Sequence, residues 1–363
     1  MVNKIFYSAY TCNNNVGDLL ITKMQIEEYA KYGIVYIDAT NMPSNFKAVL
    51  LENTNGNIKD FTKEFGLSYR GIKMFHVIRL LKKERFTHFT KSPGPYSILK
   101  MPISLLCKRL LGAIGYWYAK QNDLKVIAVG IDLNFSYVKD WLKQLNIKYF
   151  KIYDKIYVRS LPNFRIYSKV LHNVAYIPDM AFLYKDHVKY PSINLRKRIA
   201  FSFRDVKDFS KLKIILGKII SFFKQKDYEI DIIYQVESDK FFSQELVNSF
   251  KEASLNSKCL WYEDLPIYSK YEMVFSNRLH VLLIGAMYGN LPIALIEHNR
   301  KEQKISDIYK TVFENKIFYY INEEDLNIEN IWNNRNLLYD MVLKSIIEQN
   351  NLCKSIIREI FNK

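Results

Sequence analysis

The stretch EMVFSNRLHVLLIGAMYGNLPIALI, residues 272–296, decides how the whole chain is read. Glu272–Phe275 carries a short apolar run of strand type. Leu279–Tyr288 is apolar except for His280 and long enough for a helix. After Gly289 and Pro292, Ile293–Ile296 is a second apolar run. Strand, helix, turn and strand in this order is the pattern of a βαβ unit in a parallel sheet.

The same alternation recurs on both sides. Downstream, Lys316–Ile321 reads as a strand and Leu337–Phe361 has the periodicity of a closing helix. Upstream, Ile199–Arg204 and Tyr228–Tyr234 read as strands, and Lys211–Phe223 and Phe242–Ala253 as helices. Before them lies Lys185–Arg198, a polar stretch with little apolar periodicity, which reads as a linker, its LRKR run at 195–198 as a solvated turn. The alternation is also present in the first half. Lys4–Ser8, Ile34–Asp38, Ala48–Glu52, Phe86–Lys91, Val126–Val129, Lys155–Arg159 and Val174–Ile177 read as strands. Asp18–Tyr32, Ile72–Lys83, Ile98–Ala119 and Tyr137–Leu145 read as helices. The expectation is an α/β protein of two doubly wound, parallel-sheet domains, 1–187 and 188–363, facing across a cleft. In such sheets ligands bind at the carboxyl ends of strands, so the loops after strands are where chemistry is sought.

Composition bounds the function classes. The 363 residues suit two domains. Lys and Arg number 53 against 37 Asp and Glu, a net charge of +16, which favours an anionic partner without choosing among nucleic acid, acidic lipid and a phosphorylated small molecule. Scattered basic residues form no phosphate-tracking stripe and no nucleic-acid module is recognisable, so nucleic acid is not expected. Cys12, Cys107, Cys259 and Cys353 match no zinc or redox spacing, and no metal-ligand cluster is seen, so neither a metal nor a disulfide framework is expected. With no signal-peptide core and no spanning apolar run, the expected setting is the cytoplasm. Lys100–Lys120 mixes Lys108 and Arg109 with Leu, Ile and Trp117. It reads either as a core helix with two snorkelling cations or as a basic amphipathic segment touching acidic lipid at the inner face of the plasma membrane.

Two places stand out chemically. The first strand leads to Asn15-Val16-Gly17-Asp18 and a helix. Gly17 permits close backbone approach. Asp18 reads either as a helix cap or as a carboxylate that accepts a substrate hydroxyl's hydrogen bond or proton. In Ser276-Asn277-Arg278-Leu279-His280, Arg278 and His280 fall at a strand's carboxyl end and a helix's start. Backbone N–H groups there favour anions, a guanidinium recognises oxyanions, and histidine moves protons near neutral pH. The plainer reading pairs Arg278 with a structural acid and buries His280 in the core.

These residues resemble the polysaccharide pyruvyl transferase family, whose signature is S-x-R-x-H, a small apolar helix, G-x-P and a downstream lysine. Asn15, Gly17 and Asp18 match its N-x-G-D. Ile156–Arg159 looks like its strand ending in arginine, and Ile177–Phe182 like its P-D-x-x-F element. Ile199–Arg204 resembles the opening strand of its second half, and Gln235 and Asp239 fall at its polar positions. The likeness spans roughly residues 3–311. Two residues, Asn290 and Leu291, separate Gly289 from Pro292 where one is usual. Lys301 and Lys304 compete for the lysine, Lys304 fitting better. Ser92-Pro93-Gly94-Pro95 stands where a glycine-rich loop is usual, and Gly130-Ile131-Asp132 where a second small-residue loop is.

The resemblance implies a fold similar to the B-type glycosyltransferases, with two Rossmann-like domains. It implies transfer of the enolpyruvyl group of phosphoenolpyruvate to two hydroxyls of one sugar of a surface polysaccharide or its lipid-linked precursor. The products are a cyclic ketal and phosphate, and no cofactor is needed. His280 is then the general acid or the group that orients the phosphate, Asp18 the group that takes or orients a hydroxyl proton, and Arg278 and Lys304 stabilisers of the leaving phosphate. Arg204, Arg278, Lys304 and Ser276 bind the donor; Asn15, Asp18, Gly94 and Arg159 bind the acceptor. The alternatives are a nucleotide-sugar glycosyltransferase of the same fold and a basic peripheral binding protein without catalysis.

Overall fold

The computed structural model describes all residues except 1, 10–14, 41, 53–55, 97–102, 189–195, 300–301, 315, 324–325 and 363, and only the backbone at 103–106, 108 and 109. The chain forms two compact units. The first comprises Met1–Asn13, Ile21–Met180 and Leu352–Lys363; the second comprises Asn14–Leu20 and Ala181–Asn351. The chain therefore passes between units at 13/14, 20/21, 180/181 and 351/352, where the sequence reading has one junction at 187/188.

The first unit contains β1 (Asn3–Ser8), β2 (Gly33–Asp38), β3 (Ile58–Asp60), β4 (His88–Lys91), β5 (Gly94–Pro95), β6 (Lys125–Asp132), β7 (Lys155–Val158) and β8 (Val174–Tyr176). Its sheet runs in the order β3-β2-β1-β4-β6-β7-β8, with β5 beside β6, and every pair is parallel. The helices between are α1 (Val16–Ala30), α2 (Ser44–Leu51), α3 (Phe61–Phe65), α4 (Lys73–Lys83), α5 (Ile103–Gln121), α6 (Asp140–Phe150) and α7 (Leu161–Tyr167). Strands covered on both faces lose all contact with water, which is why Ile5, Phe6, Val126 and Ala128 are fully buried and read as unbroken apolar runs.

Of residues 48–52, expected as a strand, 48–51 belong instead to α2, with Glu52 as its C-cap. Pro43 stands at its N-cap, and Phe46, Val49 and Leu50 are buried at helical spacing. The strand follows as β3, a three-residue edge. Gly130, expected in a small-residue loop, lies inside β6, where the register shifts between Val129 and Ile131. Its φ of 73° is the left-handed value that favours glycine, and a Cβ there would come within 3.2 Å of Met180. At the carboxyl end of β4, the buried Lys91 ammonium lies 3.4 Å from the Tyr96 ring centroid, with Tyr116, Tyr149 and Tyr153 also within cation–π reach.

His88, on β4, is buried with its ring edge against Phe361. Burial, reinforced by the charge of Lys125, pushes its pKa from 6.5 down to about 4. The unfolded chain takes up this proton near pH 6.5 and the folded chain only near pH 4. The contribution is thus intact above pH 6.5 and lost as pH falls from 6.5 to 4, to a total of about 3 kcal/mol. We expect the urea midpoint to drop between pH 7 and pH 5, and His88→Gln to flatten that drop. Equal pH slopes in the two proteins would refute the assignment.

The second unit contains β9 (Arg198–Ser202), β10 (Glu229–Ile232), β11 (Ala253–Leu255), β12 (Met273–Ser276), β13 (Leu291–Ile296) and β14 (Phe318–Tyr320), all parallel in the order β11-β10-β9-β12-β13-β14. Renumbered from its own first strand this is 3-2-1-4-5-6, the Rossmann order. Its helices are α8 (Phe209–Lys224), α9 (Lys240–Ser249), α10 (Leu279–Met287), α11 (Gln303–Val312) and α12 (Ile328–Asn333). The long α13 (Arg335–Asn362) closes the chain. The helix expected over 242–253 ends at Ser249, and Ala253 opens β11 instead. All nine residues of α10 are buried, as expected for a helix apolar on every side.

Arg196, expected in a solvated turn, is also buried. Its guanidinium donates to the carbonyls of Tyr271, Tyr288 and Gly289, the last two at the C-terminal end of α10. Arg198 pairs with Glu229 and Asp231. The final turns of α13 belong to the first unit, where Phe361 packs on Tyr29 and Tyr32 and its carbonyl accepts from Asn3. Cys107, Cys259 and Cys353 are free thiols, and Cys12 lies outside the described residues. No described helix is long and apolar enough to cross a membrane.

Candidate functional site

The site is built at the carboxyl ends of β9, β10, β12 and β13. β12 ends at Ser276, fully buried, whose hydroxyl donates to the Ser202 carbonyl at the end of β9 and accepts from the Arg278 N–H at 2.9 Å. Ser276, expected to bind donor, thus ties two strand ends together. Asn277, also fully buried, holds the next layer. Its Oδ1 accepts from the Arg204 N–H at 2.8 Å, and its Nδ2 donates to Glu302 at 3.1 Å. Sequence reasoning passed over Asn277; a polar residue between a strand end and a helix cap was the available signal.

Arg204 and Arg278 are brought together on this frame. Arg204 stands two residues beyond β9 and donates to the Asn277 carbonyl at 3.4 Å. Burial, then the charge of Arg278, lowers its pKa, with Glu302 and Asp239 opposing. Arg278 occupies the N-cap position of α10 and pairs with Asp239, which is 5% exposed. Burial raises the Asp239 pKa, against the pull of Arg278. Among the described residues, the Nε–H groups of both arginines are buried and have no hydrogen-bond partner. Two like charges thus lie near one another, with Asp239 as the counter-ion of Arg278.

The acids after β13 serve the frame. Glu302 accepts from Asn277 and from the Glu297 N–H, and burial raises its pKa. Glu297 accepts from the N–H groups of Lys207 and Asp208. Gln235 donates to the Tyr268 hydroxyl. Lys304 sits half-buried in the first turn of α11, and Lys301 lies outside the described residues.

Residues Asn14–Leu20 belong to this same unit. Asn15 caps α1: its Oδ1 accepts from Gly17 and its carbonyl from Leu19. Asn15 rather than Asp18 thus takes the cap. The Asp18 carboxylate instead lies 3.6 Å from His280 Nδ1, an ion-pair distance, with His280 buried in the first turn of α10. Gly17 explains the approach: a Cβ there would lie 2.4 Å from the Cβ and Nδ1 of His280. We expect Gly17→Ala to push the imidazole off Asp18 and cut turnover about a hundredfold, as a misplacement of about 1 Å does. Kinetics together with a thermal melt check this; wild-type turnover in a folded variant would refute it.

Gly94 and Arg159 belong to the first unit. Gly94, with a φ of 145°, pairs through β5 with β6. Arg159, expected to bind the acceptor, is 4% exposed and clamped between the partly buried Asp132 and the buried Asp179, the latter at 2.9 Å. Burial works to lower its pKa, but the two carboxylates outweigh it and hold it above the ordinary value. Among the described residues no group of three His, Cys, Asp or Glu side chains is placed to hold a metal ion.

No protein-family model matches the sequence, and no curated protein does. Solved structures do match in fold. UDP-GlcNAc 2-epimerase from Neisseria meningitidis bound to UDP-GlcNAc aligns with a TM-score of 0.60 at 10% identity, over 99% of this chain and 100% of that one. Anabaena HepE in complex with UDP-glucose gives 0.58 at 10% identity, over 99% and 98%. A glycosyltransferase from Rickettsia africae gives 0.59 at 10% identity, over 99% and 97%. The fold is therefore that of the B-type glycosyltransferases, two Rossmann-like units on one chain.

Proposed function

We propose that the protein is an enzyme of glycan assembly, a transferase that moves a group from a phosphate-bearing donor to a sugar hydroxyl. The observation that carries this reading is the Arg204–Arg278 pair, with its two buried unmet Nε–H donors, two residues from His280 and its Asp18 partner. The guanidiniums and the α10 N-terminus hold the donor's phosphate and stabilise the charge it gains on leaving. Asp18 lies 3.6 Å from Nδ1 of His280 and flanks that edge of the ring. We assign proton exchange with the substrate to this imidazole.

Two donors fit. The fold neighbours from Anabaena and Neisseria meningitidis, solved in complex with UDP-sugars, support a nucleotide-sugar, and neither is a pyruvyltransferase. Two observations support phosphoenolpyruvate. The Ser276–His280 segment resembles the pyruvyl transferases. In addition, Glu297 and Glu302, the carboxylates nearest in sequence that would suit a ribose diol, are already committed to backbone N–H groups and Asn277. A donor screen tests the proposal: phosphate release from phosphoenolpyruvate with candidate glycans, set beside nucleoside-diphosphate release and thermal shifts with UDP-sugars. Stabilisation by UDP-sugars alone assigns the nucleotide-sugar reading, and phosphate release alone the pyruvyl reading. Response to neither class refutes the transferase proposal.

A further inference from the structure

Helix α5, in the first unit, exposes the wrong residues for a surface helix. Cys107, Leu110, Leu111, Ile114 and Trp117 fall on one face, and all are exposed. Leu110 is 44% exposed, Ile114 48% and Trp117 55%. Three turns of helix thus present an apolar stripe, where a surface helix ordinarily presents charge. The opposite face is ordinary core: Tyr116 and Ala119 are buried.

The flank of the stripe is basic. α4 packs beside α5 through Phe75 and Tyr118, and Arg79 Nε donates to the Tyr118 hydroxyl at 3.0 Å. Lys73, Arg79, Lys82 and Lys83 on α4, with Lys120 on α5, are not offset by any Asp or Glu within either helix. Asp123 and Asp154 answer only Lys82 and Lys120, at 3.7 and 2.9 Å. Ile72, 76% exposed, extends the apolar surface at the start of α4. An apolar ridge with a tryptophan beside a cationic rim matches a bilayer surface bearing anionic headgroups. The ridge enters the acyl boundary and the rim meets the charge.

We propose that the α4–α5 face docks the protein onto anionic membrane surfaces. A second copy of the chain is the competing occupant, but two such faces would bring like-charged rims together. The proposal is independent of the donor assignment.

Flotation of the full chain with vesicles tests it, using phosphatidylcholine alone and phosphatidylcholine mixed with phosphatidylglycerol. Binding is expected to the mixed vesicles only and to weaken as salt rises. Ile114→Asp is expected to reduce partitioning about tenfold, the equivalent of one lost buried apolar side chain. Lys73→Gln and Lys83→Gln are each expected to reduce it about fivefold. All three sites are exposed, and circular dichroism confirms that the variants fold. Failure to float with mixed vesicles overturns the proposal. So do equal binding to neutral vesicles and a dimer in sedimentation equilibrium that Ile114→Asp dissociates.

Discussion

Replacing His280 by alanine is expected to lower turnover about a hundredfold to ten-thousandfold, the span of a lost acid–base group, while the second unit stays folded. Geometry sets this expectation. α10 places the imidazole at its first turn, and Gly17 lets α1 bring Asp18 to 3.6 Å from Nδ1. A carboxylate so placed orients the ring, so Asp18→Asn is expected to cost much of the same factor. The double variant should then be little worse than His280→Ala alone, because groups that act as a unit are not additive. Initial rates with whichever donor the screen identifies, combined with thermal melts, make the test. Fully additive losses would separate the two residues, and near-normal turnover in His280→Ala would remove the acid–base assignment.

The second large effect is structural. Arg159→Met is expected to destabilise the protein by about 3 kcal/mol, because Asp179 would remain buried, and Asp132 partly buried, without their cation. Changing both carboxylates to asparagine in the same variant should recover much of that loss, since an uncompensated charge costs more than a neutral polar group. Chemical denaturation of the single and triple variants reads this directly. A single variant with unchanged stability and a raised acceptor KM would instead return Arg159 to the acceptor-binding role that its place at the end of β7 suggests.

The contrast between these residues explains what the sequence could carry. Strands covered on both faces must be apolar at every position, so the alternation of the parallel sheets was readable along most of the chain. β3 and β11 were not: each is a three-residue edge, and Lys59, Asp60 and Ser254 break the apolar run. Arg278 and His280 were legible because strand, cap and helix are local. The partners of Arg159 come from residues 20 and 27 positions away, and no spacing rule joins them. Asn277 is similar, since its hydrogen bonds reach Arg204, 73 positions distant. The division of labour at the start of α1 needed coordinates, because Asn15 and Asp18 are both good capping residues and only one is used as a cap.

The assignment of Asn14–Leu20 to the second unit has a consequence for recombination. A chimaera made by exchanging residues 188–363 between relatives would move His280 and leave Gly17 and Asp18 behind on another parent's helix. The glycine that admits the imidazole and the carboxylate that orients it would then have been selected against a different histidine. A functional exchange has to carry the seven-residue segment along with the larger block, and to cut α13 near 351/352 so that Phe361 stays with Tyr29 and Tyr32. The unit that holds Gly17, Asp18 and His280 is discontinuous in the sequence.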